Sequence, residues 1–381
     1  MPLVLFLGVL ENGHSRTCPP TWPHDNLHHL ISTFLFLLKI WTSGRTNPTQ
    51  QPLHGKVVMM TGGTSGIGAQ AAVGLAKQGA QLVLLTQLLQ YPNVCDEVDR
   101  QCAAPTIGYD HSLRRSLDAP WWKRRETDEG IEETWMVNFL ANFHLLGILS
   151  PALRAQPIDR DVRVIIPTCS SYIASPSLKD PVSKANWTPS TAYARSKLAL
   201  NVFGQAFQKH LDSYDRPDKA PNNTRVVFVD PGLARTPSTR RWLTRGSLWG
   251  LAAYLTGYIV PWFLLKSPHM AAQSILYAAM DNEFARGSGG KLIKECMEVD
   301  FARKEVKDDD VAKKLWEESD TLIEKVEKIQ AKKRAAQKAA DEKKAKEETK
   351  KEKDAEVEEL LEAIKKGKEQ QKKNAGKKGK K

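Results

Sequence analysis

Residues Lys56–Leu85, KVVMMTGGTSGIGAQAAVGLAKQGAQLVLL, constrain what this chain can fold into more than any other stretch. A short apolar run, Val57–Met60, leads into a glycine-rich turn. A segment of helical spacing follows at Ala69–Gln78, and a second apolar run, Gln81–Leu85, comes after the helix-stopping Gly79. Within the turn, Gly62, Gly66 and Gly68 form a Thr-Gly-x-x-x-Gly-x-Gly array. Glycines at these places let the chain turn tightly and let a pyrophosphate approach backbone N–H groups at the positive end of a helix. The stretch reads as a phosphate cradle made by Thr61, Gly62, Thr64, Ser65, Gly66, Ile67 and Gly68. An ordinary strand-to-helix connection is the alternative.

The same alternation recurs downstream. Strand-like runs stand at Val162–Ile166, Arg225–Val229 and Lys291–Ile293, with helical patterns at Ile131–Leu149, Thr191–Leu211 and Met270–Met280. Alternating strands and helices predict an α/β fold, a doubly wound parallel sheet of Rossmann type covered on both faces. The expected division is an N-terminal segment at 1–53, the α/β domain at 54–301, and a charged, helical or disordered tail at 302–381.

The 381 residues carry a formal charge of +12, which suggests nucleic acid until it is located. Residues 331–381 hold 19 Lys/Arg and 11 Asp/Glu, so eight of those excess charges sit in the tail. The globular part is nearly balanced, and no nucleic-acid partner is expected. The five cysteines, Cys18, Cys95, Cys102, Cys169 and Cys296, form no C-x-x-C pair, which favours a reducing, cytosol-facing setting. The histidines show no metal-ligand spacing.

Two apolar segments point to a membrane surface. Leu27–Trp41 is too short to span comfortably and suits either a helix lying in the interface or a helix packed on the domain. Leu248–Leu265 has no charge in 18 residues and is read as a hydrophobic lid or membrane-dipping hairpin over 247–266, broken at Pro261, with a plain buried core helix as the alternative. Pro2–Leu10 is a poor signal peptide, lacking a basic start.

Tyr193-Ala-Arg-Ser-Lys197 places a phenol and an ammonium at i, i+4, on one face of an expected helix. A neighbouring cation favours the phenolate, which suits Tyr193 to proton transfer near neutral pH. Upstream, a strand ends in Cys169-Ser170-Ser171, where a hydroxyl could hold a substrate carbonyl.

Together these segments resemble the short-chain dehydrogenase/reductase superfamily, in its retinol-dehydrogenase-like and fungal oxidoreductase branch, over about residues 54–300. TGGTSGIG matches the cofactor turn, CSSYIA the serine strand and YARSKLALNVF the active-site helix. EETWMVNFLANFHL matches the helix with a catalytic asparagine, and VDPGLART the segment at the nicotinamide end. The resemblance implies Tyr193 as general acid/base, Lys197 on the nicotinamide ribose, Ser171 on the carbonyl and Asn138 in the proton relay. It implies Pro231, Gly232 and Thr236 as cofactor contacts, and NADP or NAD as cofactor, with NADP favoured. A small lipophilic substrate, attachment to the endoplasmic reticulum or a lipid droplet, and room for a homo-oligomer follow from the same branch.

One interval departs from the pattern. Gln87–Thr127 contains no convincing apolar strand and no Asn-Ala-Gly, where the family has its third and fourth strands. The sheet is expected to be missing or degraded there, and dinucleotide binding correspondingly weak. A catalytically silent relative serving as a membrane-bound scaffold is the rival reading.

Overall fold

The computed structural model describes residues 24–85, 124–127, 129–180, 186–244, 247–332, 334–336 and 338. The expected gap at Gln87–Thr127 lies outside the described residues except for 124–127, as do Pro2–Leu10 and the charged end 341–381.

Strand β1 (Val57–Thr61), helix α2 (Gly66–Lys77) and β2 (Gln81–Leu85) follow α1 (His24–Ser43). Then come α3 (Glu133–Arg154), β3 (Val162–Pro167), α4 (Pro189–Asp212) and β4 (Thr224–Asp230). An excursion of three short helices, α5 (Pro237–Thr244), α6 (Leu248–Thr256) and α7 (Ile259–Leu264), precedes α8 (Pro268–Met280). A short helix α9 (Glu283–Arg286), the hairpin β5 (Lys291–Lys294) and β6 (Met297–Val299), and a helix α10 over 309–332 complete the chain.

β1 and β2 pair in parallel, as do β3, β4 and β5, while β6 returns antiparallel. β1 and β3 are edges of separate ladders among the described residues. They nevertheless share both cores. On one face Met59 packs with Val164, Ile166, Val226 and Phe228 under α3 and α4; on the other Val58 and Met60 pack with Ile165 and Val227 under α2 and α8. Every residue of β1 and β3 is buried, as in a parallel sheet covered on both faces. The chain therefore has a Rossmann-like α/β fold. β2 is more open: Val83 and Leu84 are partly exposed.

Lys56, Asp161 and Arg163 tie the two ladders. Lys56 Nζ lies 2.8 Å from Asp161 Oδ2, and Arg163 meets the same carboxylate at 2.7 and 2.8 Å while donating to Ala278 O on α8.

The excursion breaks at Gly257-Tyr258, between α6 and α7, and not at Pro261. Pro261 is the third residue of α7, in the first turn, where its missing N–H would have no helical partner. At 1.5 Å per residue neither helix approaches bilayer thickness. Among the described residues, the helix long and apolar enough to cross a membrane is α3, and its apolar side forms the core.

Packing continues past residue 301. Val306, Val311 and Leu315 are buried in the α3–α4 core, and Trp316 meets the rings of Phe143 and Phe203 at 5.4 and 5.5 Å.

Candidate active site

The glycine turn opens directly onto α2. Thr61, at the end of β1, is buried, and Gly62 and Gly66 have φ of +66° and +61°, the left-handed region that favours glycine. Ser65 is the N-cap residue, yet its side chain makes no capping hydrogen bond. The first N–H groups of a helix lack intrahelical partners, so this end can receive an anion. Thr64 is exposed. The Ile67 side chain is fully buried in the core, leaving its backbone as the part that can face a ligand.

Helix α4 begins with Thr188 as N-cap, bonded reciprocally with Thr191, and with Pro189 in the first turn. That fixes the register of Tyr193 and Lys197, one turn apart. The Lys197 Nζ is 5.7 Å from the centre of the Tyr193 ring and donates to Pro167 O, at the end of β3, at 3.4 Å. Lys197 is 5% exposed, so this ammonium serves the interior.

The strand ends at Pro167, short of the serines, and a 3-10 turn at Ser170–Ala174 brings Ser170 and Ser171 to the same place. Ser171 Oγ lies 2.7 Å from Cys169 Sγ, and Cys169 Sγ is 3.5 Å from the Tyr193 hydroxyl. A thiol thus bridges serine and tyrosine. Asn138 sits in a π-turn, Met136–Leu140, within α3. Such turns widen the helix locally and recur at functional positions. Its Nδ2 donates to Ser196 Oγ at 3.0 Å, and Ser196 Oγ donates to Tyr193 O at 2.8 Å. The Asn138 carbonyl accepts from Asn142 Nδ2 at 2.8 Å.

The Pro-Gly segment follows β4. Pro231 is buried, Gly232 has φ of +75°, and Thr236 is buried with its Oγ1 accepting from Thr239 N at the start of α5. Asp230, 4% exposed, joins this segment to the serines: its Oδ2 accepts from Ser170 Oγ at 2.5 Å and its Oδ1 from Gly232 N at 2.9 Å.

Asn138, Ser171, Tyr193 and Lys197 therefore all lie on elements tied to the start of α4 by direct contacts. The sequence reading missed Cys169, Asp230 and Ser196. Cys169 carried no periodicity signal, because the chain leaves the extended form after it: Ser170–Ala174 is a 3-10 turn with Cys169 as its N-cap. Asp230 and Ser196 had none beyond adjacency to motif residues.

The donor set fits a nicotinamide dinucleotide. An uncapped helix N-terminus behind two left-handed glycines suits its phosphates. At the other end, Thr168 Oγ1 is a buried hydroxyl without a hydrogen-bond partner, next to the carbonyl that receives Lys197.

No family model matches the chain. An uncharacterized oxidoreductase of Schizosaccharomyces pombe, pbr1, is 36% identical over 373 residues, covering 88% of this chain and 98% of its own. Human retinol dehydrogenase 13 is 27% identical, covering 75% of this chain and 90% of its own. Mouse polyprenol dehydrogenase is 28% identical, covering 71% and 84%. Fold, site and relatives define an oxidoreductase: the chain belongs to the short-chain dehydrogenase/reductase superfamily, in its retinol-dehydrogenase-like branch.

Proposed function

We propose that this enzyme interconverts an alcohol and a carbonyl on a small lipophilic substrate, using NADP(H) in preference to NAD(H). The observation that carries the reading is the convergence of the Ser171 and Tyr193 hydroxyls on Cys169, with Lys197 buried one turn away. The nicotinamide supplies the hydride. Tyr193 delivers or removes the proton at the substrate oxygen, and Ser171 holds that oxygen in place. Lys197 stabilises negative charge developing on the phenol and reaches the ribose. Asn138 sets the α3–α4 contact through Ser196 and orders the relay behind Lys197. Thr61 to Gly68 cradle the phosphates, while Pro231, Gly232 and Thr236 line the nicotinamide end.

Lipophilic substrates suit relatives named for retinol and polyprenol. The exposed apolar residues of α1 and the excursion support residence on a membrane surface; the cytosol-facing side of the endoplasmic reticulum or a lipid droplet is the location proposed. On this reading residues 1–53 serve as the interface segment, 54–301 as the catalytic domain with its membrane-facing excursion, and 302–381 as a tail whose start packs on that domain.

A shortened cofactor half remains part of the proposal. The alignment with the fission-yeast relative runs over 373 positions yet takes in 88% of the 381 residues here, so part of that relative has no counterpart in this chain. Fluorescence titration with NADH and NADPH tests the function. Saturable binding weaker than micromolar (about −8 kcal/mol), with turnover of a lipophilic carbonyl, supports an enzyme with a reduced cofactor site. Absence of both binding and turnover supports the scaffold reading.

A further inference from the structure

The crossing of α1 and α7 combines apolar exposure with unpaired cations. Lys39 Nζ donates to Trp262 O at 2.6 Å and sits 4.8 Å from the Trp262 ring centre, and Thr42 Oγ1 donates to Phe263 O at 2.7 Å. The two helices that meet there expose Phe34, Phe36 and Leu37 on α1 and Ile259 and Leu264 on α7; on α6 Trp249 is 88% exposed. Arg235 reaches the same crossing. Its Nη1 meets the Tyr258 hydroxyl at 3.2 Å, and its Nε is shielded from water without a hydrogen-bond partner. Burial, and then the charge of Arg235, hold the Lys39 ammonium below its ordinary value. The two cations are anchored one helical turn apart, Lys39 at Trp262 and Arg235 at Tyr258, and no acidic residue pairs with either among the described residues.

The sequence around them is one-signed. Residues 231–280 contain Arg235, Arg240, Arg241, Arg245 and Lys266 and no Asp or Glu; residues 26–95 likewise contain no acid. A second copy docking isologously would set these cations against their own kind. A small free phosphate would leave the surrounding aromatic and aliphatic residues in water. A bilayer with anionic headgroups satisfies both, since acyl chains cover the apolar side chains and phosphates meet the cations.

We propose that α1 and the α5–α7 excursion form one docking surface for an anionic lipid bilayer, with the Lys39–Arg235 seam receiving a headgroup phosphate. This rests on the membrane association proposed above and adds its headgroup chemistry. The seam lies beside the catalytic machinery: Arg235 stands between Gly232 and Thr236, and its backbone N–H donates to Lys266 O at 2.8 Å, closing the base of the excursion. Docking there orients the Pro-Gly end of the site toward the membrane, which supplies the substrate.

The test uses the full chain, added from detergent to sucrose-loaded vesicles of phosphatidylcholine, with or without phosphatidylserine, and sedimented. Wild type is expected to bind both and to prefer the anionic vesicles. The double variant Lys39→Gln/Arg235→Gln is expected to lose about fivefold of that preference per charge removed, while binding phosphatidylcholine as before. The lysine-rich end 341–381 is present in both proteins and cancels. Trp249→Ser/Ile259→Ser is expected to weaken binding to both vesicles. Equal wild-type binding to the two vesicles, or an undiminished preference in the double variant, overturns the proposal. So does competition of vesicle binding by soluble glycerol phosphate, or a stable dimer that no longer sediments with either vesicle. NADPH titration on the same samples reports separately on the oxidoreductase reading.

Discussion

Replacing Gly204 by alanine probes how closely α4, the helix bearing Tyr193 and Lys197, sits on the sheet. A Cβ at 204 would lie 2.6 Å from Phe228 Cζ, 2.7 Å from its Cε1 and 2.9 Å from Ile166 Cδ1. Phe228 is 0% exposed and Ile166 1%, so neither can swing into solvent, and the helix must lift. Overpacking of this kind costs about 1–3 kcal/mol, against which alanine gains about 1 kcal/mol over glycine in a helix. The net expectation is a loss of about 1 kcal/mol, or roughly 2–4 °C in Tm for a domain of this size. Gly147 on α3 is the matched control, because a Cβ there meets nothing within 4 Å. Gly147→Ala is expected to stabilise by about 0.5–1 kcal/mol, so the two identical substitutions should differ in sign. Lifting α4 also shifts Tyr193 against Ser171, for which a roughly tenfold fall in kcat is expected. Thermal unfolding of both variants, with turnover of the first, decides the matter. Equal stabilisation by the two would refute the seating of α4 on Phe228 and Ile166.

Asp161 gives a pH prediction. Burial alone would raise its pKa, but Arg163 and then Lys56 outweigh it and hold the carboxyl below its usual 3.8. A depressed carboxylate stabilises the fold at pH values above its unfolded pKa, and that contribution is lost as pH falls through the folded value. The urea midpoint should therefore fall below about pH 4, and Asp161→Asn, already less stable at neutral pH, should show a shallower fall; parallel curves would contradict the clamp. Cys169→Ala removes the bridge between Ser171 and Tyr193, and a loss of about 1 kcal/mol in transition-state alignment, or roughly fivefold in kcat, is expected with cofactor affinity unchanged. An unchanged kcat would make the thiol a bystander. Trp316→Ala should lower Tm by several degrees, as expected for a loss of about 2 kcal/mol of ring contact with Phe143 and Phe203; an unchanged Tm would detach α10 from the core.

Regular periodicity made most of the sheet readable. The runs Val162–Ile166 and Arg225–Val229 became Val162–Pro167 and Thr224–Asp230, and Thr191–Leu211 became Pro189–Asp212, lengthened by its cap and first-turn proline. The hairpin β5–β6 was not readable, because Glu295 and Cys296 take positive φ without a glycine or asparagine to signal it. The start of α10 was legible as an apolar stripe among charges, Leu315, Leu322, Val326 and Ile329: the first three pack on the α3–α4 core while Ile329 stays exposed, and Val311, outside that stripe, is buried with them. The break in Leu248–Leu265 was assigned to Pro261, whereas the helix ends at Gly257, and Pro261 sits in the first turn of the next helix, where proline does not break it. At the site, the motif residues were legible because each carries its chemistry in its own type. The contacts of Cys169 and Asp230 exist only once β3, β4 and α4 are assembled.

The most direct test of the central claim is single-turnover reduction of a lipophilic aldehyde by wild type and Tyr193→Phe, with NADPH binding measured on both. If Tyr193 is the proton donor, the variant binds NADPH within about twofold of wild type, a difference under 0.5 kcal/mol. Its reduction step should be slower by about 10²-fold or more. Near-normal reduction by Tyr193→Phe would contradict the account.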